Sequence, residues 1–191
     1  MIRNKRNAIL KSVLKLVNRQ GFYHLNMKSI AQEAGVAAGT IYLYFKGKED
    51  LINALYAMTA EEFNQAILEA YGEGRPLQAN FFAMLDAAVM FYLKNPDHFS
   101  FVEQYTYAPF LFKENQDMNF SLLLPIYKMM AQGKALRLIK PLDESVLLAL
   151  IHGSLNTIIK LHLARKTNLR KESTRKEFYN AVWDAVTVTK K

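Results

Sequence analysis

The chain has 191 residues and a net charge of +8, and 51% of its residues are hydrophobic against 22% charged. This balance favours a folded protein of one or two domains over a disordered chain. The sequence contains no cysteine, which excludes disulfide scaffolds, thiolate metal sites, iron–sulfur clusters and cysteine nucleophiles.

Apolar residues recur at helical spacing along the chain, and no segment alternates apolar and polar residues as a half-buried strand would. The first predicted helix ends at Gly21. Asn26 is expected to cap a second helix, Met27–Ala34, which Gly35 ends. A third short helix is predicted over Ala38–Phe45.

Six longer helical segments follow. They span Lys48 to about Tyr71, Leu77 to Asn95, Asp97 to Tyr107, Asp117 to Gln132, Asp143 to about Lys166, and Glu172 to Val188. Pro125 is expected to kink or divide the fourth of them, and Asp143 is expected to cap the fifth. The predicted fold class is therefore all-α, with about nine helices.

Most of the excess positive charge lies in the first 56 residues, which contain nine Lys and Arg residues and three acidic residues. Such an excess favours a polyanionic partner, although a solvated basic surface accounts for it equally well. A second basic cluster, from Lys160 to Lys176, brackets a predicted turn near Thr167-Asn168. We interpret this second cluster as solvating the turn.

The segment from Ile30 to Phe45 has the pattern of two short helices that pack closely around a tight turn. Ala31, Ala34 and Gly35 are small where the first helix meets the turn. Gly35 can also adopt the left-handed backbone conformation that such a turn often uses. The pattern therefore indicates a helix-turn-helix arrangement.

The second of these short helices has one apolar face and one polar face. Ile41 and Phe45 are four residues apart and are expected to face the core together. Thr40 and Tyr44 share another face, about 100° away. A helix of this width fits the DNA major groove, where hydroxyl groups hydrogen-bond to phosphates and bases.

Two lysines lie near predicted helix N-termini, where the helix dipole already attracts anions. Lys28 is near the start of the second helix and Lys48 is at the start of the fourth. Ala38 and Gly39 keep the start of the third helix narrow enough to approach a phosphate or a base edge. These features favour DNA binding over an ordinary helical hairpin whose tyrosines fill the core.

The first 56 residues closely resemble the N-terminal domain of the TetR family of transcriptional repressors. The segments that carry the resemblance are Gly21-Phe22, Ile30–Val36, Gly39–Phe45 and Lys48–Leu51. The resemblance implies a helix-turn-helix DNA-binding domain over residues 1–47. It also implies a helical effector-binding and dimerisation domain over residues 48–191.

The family resemblance also implies DNA contacts by particular residues. Including Ala38 and Gly39, the two small residues at the start of the third helix, there are seven predicted DNA-binding residues. They are Lys28, Ala38, Gly39, Thr40, Tyr42, Tyr44 and Lys48. Ala37 departs from the family pattern, because Ser or Thr is more frequent there and alanine cannot cap a helix with a side-chain oxygen.

Residues 77–130 are rich in Phe, Met and Tyr, which favours an adaptable apolar cavity, although core packing accounts for any single one of these residues. The family resemblance implies an effector pocket. The candidate pocket residues are Phe82, Phe91, Phe101, Glu103, Gln104, Tyr105, Tyr127, Met130, His152 and Asn156. Asp86 interrupts an apolar face, and we favour exposure at a helix edge over a pocket carboxylate for it.

The last two predicted helices are apolar on more than one face, so each needs more than one partner. In the TetR family the corresponding helices pair across a two-fold axis. The predicted dimer-interface residues are Leu147, Leu150, Ile151, Ile158, Val182, Trp183 and Val186. The alternative is a buried hairpin within one chain.

These features predict a ligand-responsive transcriptional regulator, most simply a repressor. We expect it to bind a palindromic duplex DNA operator as a homodimer and to be released by a small apolar or aromatic effector. The alternative is a DNA-independent helical ligand-binding or interaction protein.

An enzyme is not expected. The only two histidines on one predicted helix, His152 and His162, are ten residues apart, not the three or four that would place two metal ligands on one face. The sequence has no Gly-x-Ser-x-Gly elbow, phosphate-binding glycine loop or dinucleotide fingerprint. No catalytic residue, metal or cofactor is therefore predicted.

The longest unbroken apolar run, Ala87–Leu93, is far shorter than the roughly 20 residues of a membrane-spanning helix. The basic N-terminus leads into an amphipathic helix where a signal peptide would place its apolar segment. We therefore expect no membrane association, and the family resemblance implies the bacterial cytoplasm.

Overall fold

The computed structural model describes residues 2–115 and 124–188. The described residues form nine helices and no named strand. The helices are α1 (Ile2–His24), α2 (Met27–Ala34), α3 (Ala38–Tyr42), α4 (Lys48–Ala70), α5 (Leu77–Lys94), α6 (Pro96–Tyr105), α7 (Leu124–Ala135), α8 (Glu144–Leu163) and α9 (Glu172–Val186). A single antiparallel bridge joins Ile139 to Thr187. The predicted all-α fold class is confirmed.

The described residues pack into two compact units. The first unit is drawn from Met1–Glu62 and Asn95–Ser121, and the second from Phe63–Lys94 and Leu122–Lys191. Helix α4 starts in the first unit and continues into the second. This division reports packing alone, and the predicted functional division at residues 47 and 48 stays a prediction.

The ends of α2 follow the predicted capping chemistry. The backbone N–H of Ser29 donates to Asn26 Oδ1 at 2.9 Å, which satisfies one of the unpaired donors at the helix start. Gly35 takes the left-handed conformation (φ 64°), and the N–H of Val36 donates to the Ala31 carbonyl oxygen at 3.0 Å. Both ends of α2 are confirmed.

The ends of α1 and α3 differ from the prediction in detail. Helical geometry continues to His24, but Gly21 has a non-helical backbone (φ 76°, ψ 165°), so the regular part of α1 stops near that residue. Helix α3 ends at Tyr42 instead of Phe45. The N–H of Leu43 bonds to the Thr40 carbonyl oxygen three residues back, which tightens the last turn and closes the helix.

The core of the first unit joins α1, α2, α3, the start of α4, and α6. Ile9, Ile30, Ile41 and Phe45 are buried in it. Phe101 of α6 is buried in the same core. The α2–α3 pair therefore packs on an apolar core, and this packing fixes which face of the pair is exposed to solvent.

The second unit is closed by aromatic contacts and by one polar cluster. The rings of Phe63 and Tyr92 stack with centroids 4.6 Å apart. Asp86 Oδ1 on α5 accepts hydrogen bonds from Arg175 Nε at 2.9 Å and from the Tyr179 hydroxyl at 2.7 Å, both on α9. Burial and this contact raise the pKa of Tyr179. Asp86 is therefore neither a pocket carboxylate nor simply exposed, because it ties α5 to α9.

Helix α8 contains a π-helical segment, Ala149–Gly153, between α-helical Glu144–Leu148 and Ser154–Leu163. The predicted cap is confirmed, since Asp143 Oδ1 accepts from the N–H of Ser145 at 2.8 Å. The helix ends at Leu163, three residues before the predicted end.

The predicted helix from Asp117 to Gln132 lies partly outside the described residues, which resume at residue 124. From there the structure shows α7 to Ala135.

Within the described part of the chain, α8 is the one helix that is long and apolar enough to cross a membrane by length and composition. Polar residues such as His152 and Asn156 interrupt its apolar run, so the sequence pattern does not predict a membrane span there. Only 17% of its apolar window is buried inside the chain. The helix therefore exposes apolar surface that its own chain leaves uncovered.

Gly133 on α7 has no room for a side chain. A Cβ atom there would lie 2.4 Å from Ile139 Cδ1 and 2.9 Å from Leu77 Cδ2, and Ile139 is itself buried. We expect Gly133→Ala to lower the free energy of unfolding by about 1–3 kcal/mol through overpacking. The matched control is Gly39→Ala, because a Cβ atom at Gly39 would meet nothing within 4 Å. This variant should have the same midpoint of urea denaturation as the wild type, or a higher one. Equal midpoints for wild type and Gly133→Ala would contradict this packing.

Candidate nucleic-acid interface and apolar cavity

Helix α3 presents a small, hydroxyl-bearing surface to solvent. Its residue Ile41 is fully buried, which fixes the rotation of the helix about its own axis. Ala38 and Gly39 are exposed and Thr40 is half-buried. Tyr42 keeps 58% of its surface exposed. The structure thus brings four of the predicted DNA-binding residues together on one accessible helix.

Tyr44 lies in the turn after α3 and not on the helix itself. Its N–H donates to the Ile41 carbonyl oxygen at 3.0 Å. The side chain is half-buried and packs against the core of the first unit. Tyr44 therefore has less surface for a partner than Tyr42, although it is not sealed inside the molecule.

Both predicted lysines lie at helix starts in the first unit. Lys28 is exposed in the first turn of α2. Lys48 begins α4, and its Nζ atom lies 4.4 Å from the centroid of the Phe22 ring, a cation–π contact that holds the ammonium group in place. Asp50 Oδ2 accepts from the N–H of Lys46 at 2.8 Å, so the start of α4 is fixed as well.

Sequence reasoning missed two exposed residues that lie close to α2 and α3 in the chain. Tyr23 follows the buried Phe22 just before α2, and Leu43 follows α3; both are largely exposed. The available signal was a core residue close by in the chain: Phe22 directly before Tyr23, and Ile41 and Phe45 two residues on either side of Leu43. We call Lys28, Ala38, Gly39, Thr40, Tyr42 and Lys48 the α3 surface.

Asn53 is a second residue that sequence reasoning missed. It is buried on α4, and its Nδ2 donates to the carbonyl oxygens of Glu49 and Phe110, each at 2.9 Å. Its Oδ1 accepts from the N–H of Phe112 at 2.6 Å and from Asn115 Nδ2 at 2.8 Å. One amide therefore fastens the segment after α6 to α4. A lone Asn between Ile52 and Ala54 was the signal in the sequence.

The second unit contains a narrow cavity of about 50 Å³. Its lining is apolar except for one imidazole, and α8 contributes four of the residues, two of them from the π-helical segment. Such segments often occur at functional sites. The lining residues are Phe63, Ile67, Phe81, Met84, Leu85, Ala88, Ile126, Met129, Leu148, Ile151, His152 and Leu155.

The predicted pocket residues are dispersed over both units. Four of them, Phe101, Glu103, Gln104 and Tyr105, lie on α6 in the first unit. Phe101 and Tyr105 are buried there, and the Tyr105 hydroxyl accepts from the N–H of Phe22 at 3.1 Å. Burial raises the pKa of Tyr105. These two aromatic residues therefore belong to the core of the first unit and do not line the cavity.

The other candidates lie in the second unit, but only His152 reaches the cavity. Phe82 packs against Trp183, Phe91 packs against Phe63, and Met130 is buried. Tyr127 and Asn156 are half-buried and also outside the lining.

Burial lowers the pKa of His152, so the folded chain keeps this imidazole neutral at a pH where the unfolded chain protonates it. The unfolded state then binds more protons below its ordinary pKa of about 6.5, and stability falls as the pH falls. We expect the free energy of unfolding to drop more between about pH 7.5 and pH 5.5 in the wild type than in His152→Gln. Urea titrations at both pH values measure the difference, and identical drops would contradict an imidazole that its surroundings keep neutral.

The predicted dimer residues divide into two groups. Leu147, Val182 and Val186 are buried within the chain, so they are occupied in its own core and are not free for a partner. The second group is half-buried and comprises Leu150, Ile151, Ile158 and Trp183.

The exposed side of α8 carries small and apolar residues at helical spacing. We call Val146, Ala149, Leu150, Gly153 and Thr157 the α8 stripe. All are exposed except Leu150, which is half-buried. This stripe is the part of α8 that the fold leaves available.

The fold and the α3 surface define a helix-turn-helix protein with a helical second unit, and comparison with known proteins identifies its family. Residues 9–55 match the model for bacterial regulatory proteins of the tetR family. Residues 76–187 match the model for the tetracyclin repressor-like C-terminal domain, which is more than half of the chain. The chain belongs to the TetR family of transcriptional regulators.

Individual relatives agree with this assignment. The chain is 33% identical over 101 residues to an HTH-type transcriptional regulator of Haemophilus influenzae, an alignment covering 53% of this chain and 54% of the relative. It is 36% identical over 67 residues to the fatty acid metabolism regulator protein of Bacillus subtilis, covering 35% and 34% of the two chains. The chain thus spans about half, and about a third, of the length of these two relatives.

The fold also matches a solved structure over nearly the whole chain. A TetR family transcription regulator from Marinobacter aquaeolei superposes with a TM-score of 0.91 at 24% identity, covering 97% of this chain and 96% of that one. The family and these relatives are transcriptional regulators, which confirms the prediction of a regulator in place of an enzyme.

Proposed function

We propose that this chain regulates transcription by binding duplex DNA through the α3 surface. The observation that carries the proposal is the contrast along α3: Ile41 is fully buried, while Tyr42, the next residue, is mostly exposed. A helix that packs on the core with one face and exposes the opposite face to solvent fits the major groove. Lys28 and Lys48 flank it and suit phosphate contacts, which position a protein on DNA without reading sequence.

We propose further that two copies pair through the α8 stripe. Apolar side chains that stay exposed in the single chain are removed from water when a second copy covers them, and this burial favours association. A two-fold interface places the same stripe on both sides. Gly153 and Ala149 allow close helix approach. A dimer presents two α3 surfaces, which read a palindrome when their separation matches one DNA turn of roughly 34–36 Å.

The cavity in the second unit supports a small apolar effector. Its volume of about 50 Å³ is below the roughly 300–1,000 Å³ typical of ligand sites, so an effector must widen it. A ligand that binds the widened conformer better than the narrow one shifts the population toward it. We propose that the widened conformer holds the DNA less tightly, which makes the protein a repressor released by its effector.

The relative from Bacillus subtilis is a fatty acid metabolism regulator, and an apolar ligand class agrees with the lining of this cavity. We propose that the chain acts in the bacterial cytoplasm, where its relatives regulate transcription and where both duplex DNA and small metabolites are present.

A gel-shift titration with DNA from upstream of the chain's own gene tests the proposed function. The expected result is a sequence-selective complex that weakens as salt rises, because cations on the protein displace counterions from the phosphates. Native mass spectrometry of the purified protein then searches for a bound apolar molecule, and adding that molecule should dissociate the complex. Binding to unrelated duplexes with equal affinity would contradict the proposal.

A further inference from the structure

Leu43 follows α3 on a turn of fixed geometry. Its backbone stays in the helical region (φ −71°, ψ −22°), and its N–H donates to the Thr40 carbonyl oxygen at 3.3 Å. Ile41 and Phe45, two residues away on either side, are buried in the core of the first unit. The position of Leu43 is therefore set by two buried neighbours and not by its own contacts.

The Leu43 side chain lies outside that core. It is 81% exposed, whereas the next most exposed leucine among the described residues, Leu136, is 67% exposed. An isobutyl group exposed to water contributes no hydrophobic stabilisation to the free chain. It directly follows Tyr42, which belongs to the α3 surface, so a duplex bound there has this exposed side chain within one residue of its contacts.

The chemistry of leucine narrows what it can contact in a duplex. The side chain has no hydrogen-bond donor or acceptor, so it cannot hold a phosphate or read a polar base edge. In the major groove the one apolar group on the base edges is the C5-methyl group of thymine. The polar contacts fall to Thr40, Tyr42 and Lys28, which leaves the methyl group for Leu43.

We propose that Leu43 packs on the C5-methyl group of one thymine in each half-site and so determines specificity at that base pair. This inference rests on the proposed function, because it requires the α3 surface to bind duplex DNA. It adds a specificity-determining residue that makes an apolar contact.

Deoxyuridine substitution tests the contact, since deoxyuridine differs from thymidine only by the missing methyl group. The probe is the duplex that wild-type protein selects from a randomised library, with each thymine replaced in turn. Each half-site should contain one sensitive position. Replacing the single thymine at that position should lower the wild-type affinity about fourfold, the effect of one lost methyl contact. Leu43→Ala should bind the thymidine duplex more weakly and show no further loss on deoxyuridine at that position.

The matched control is Leu136→Ala, an exposed leucine in the second unit, which should keep the wild-type response to deoxyuridine. Two results overturn the inference alone: selective binding with no deoxyuridine effect at any position, or an equal deoxyuridine effect in wild type and Leu43→Ala. The second result would place Leu43 on the sugar or in solvent. If the wild type selects no duplex at all, the proposed function itself fails.

Discussion

Replacing Tyr42 and Lys48 together by Ala should weaken binding to the selected duplex by at least about a hundredfold, because single base or charge-assisted contacts contribute about 1–3 kcal/mol each. Tyr42 is mostly exposed, so removing its ring takes little from the core. Replacing Lys48, which is half-buried, removes its contact with the Phe22 ring, at a cost to stability of about 1 kcal/mol. Fluorescence anisotropy measures the affinity, and circular dichroism and light scattering check fold and assembly.

The matched control is the pair Tyr107→Ala and Lys113→Ala. These residues are the same types, are exposed, and lie in the first unit outside α1–α3. The double control variant removes the same side-chain types and the same single charge, so a general loss of electrostatic attraction affects both variants alike. Equal affinity losses in the two double variants would show that the α3 surface has no special role.

Gly153→Arg should convert the proposed dimer to a monomer. A Cβ atom at Gly153 meets nothing within 4 Å in the single chain, and replacing a helical glycine removes an entropic cost of roughly 0.5–1 kcal/mol. The folded chain therefore accommodates the side chain, while two arginines brought together at a two-fold axis repel and stay unpaired. Size-exclusion chromatography with light scattering measures the mass.

Ala79→Arg is the control for the added charge, because Ala79 is exposed on α5 and lies outside the α8 stripe. It should remain dimeric. A dimeric Gly153→Arg protein with unchanged dissociation would rule out the α8 stripe as the interface, and a wild-type monomer at high concentration would rule out pairing altogether.

The parts of the fold that the sequence predicts well are those fixed by local chemistry. The cap at Asn26, the left-handed turn at Gly35 and the cap at Asp143 depend on residues close together in the chain, and all three are present. The same holds for the core face of α3, where the position of Ile41 follows from helical spacing. Local sequence chemistry therefore predicts these helix ends and the buried face of α3, while the DNA contacts of the α3 surface stay a prediction.

The pocket depends on which helices meet, and helical spacing does not specify this. An amphipathic pattern shows that Phe101 and Tyr105 are buried but not which core receives them. The structure places them in the first unit, whereas the cavity draws on Phe63 and Met84 of the second. Most of the predicted pocket residues lie away from the cavity because the sequence pattern does not specify which helices pack together.

Polar residues in apolar surroundings have roles that the sequence pattern does not specify. The sequence shows Asn53 and Asp86 as interruptions of apolar helix faces, and such an interruption fits a ligand site, a solvent edge or a structural tie. Only their partners decide. Asn53 bonds to the segment around Phe112, and Asp86 bonds to Arg175 and Tyr179, all distant in sequence.

The proposed duplex-reading role of α3 is tested most directly by one pair of anisotropy titrations. Wild-type protein is titrated against its selected duplex and against a scrambled duplex of the same base composition, each at low and physiological salt. We predict that the selected duplex binds about a thousandfold or more tightly at physiological salt and that both affinities fall as salt rises. Indistinguishable affinities for the two duplexes under both conditions would contradict a sequence-reading α3 surface.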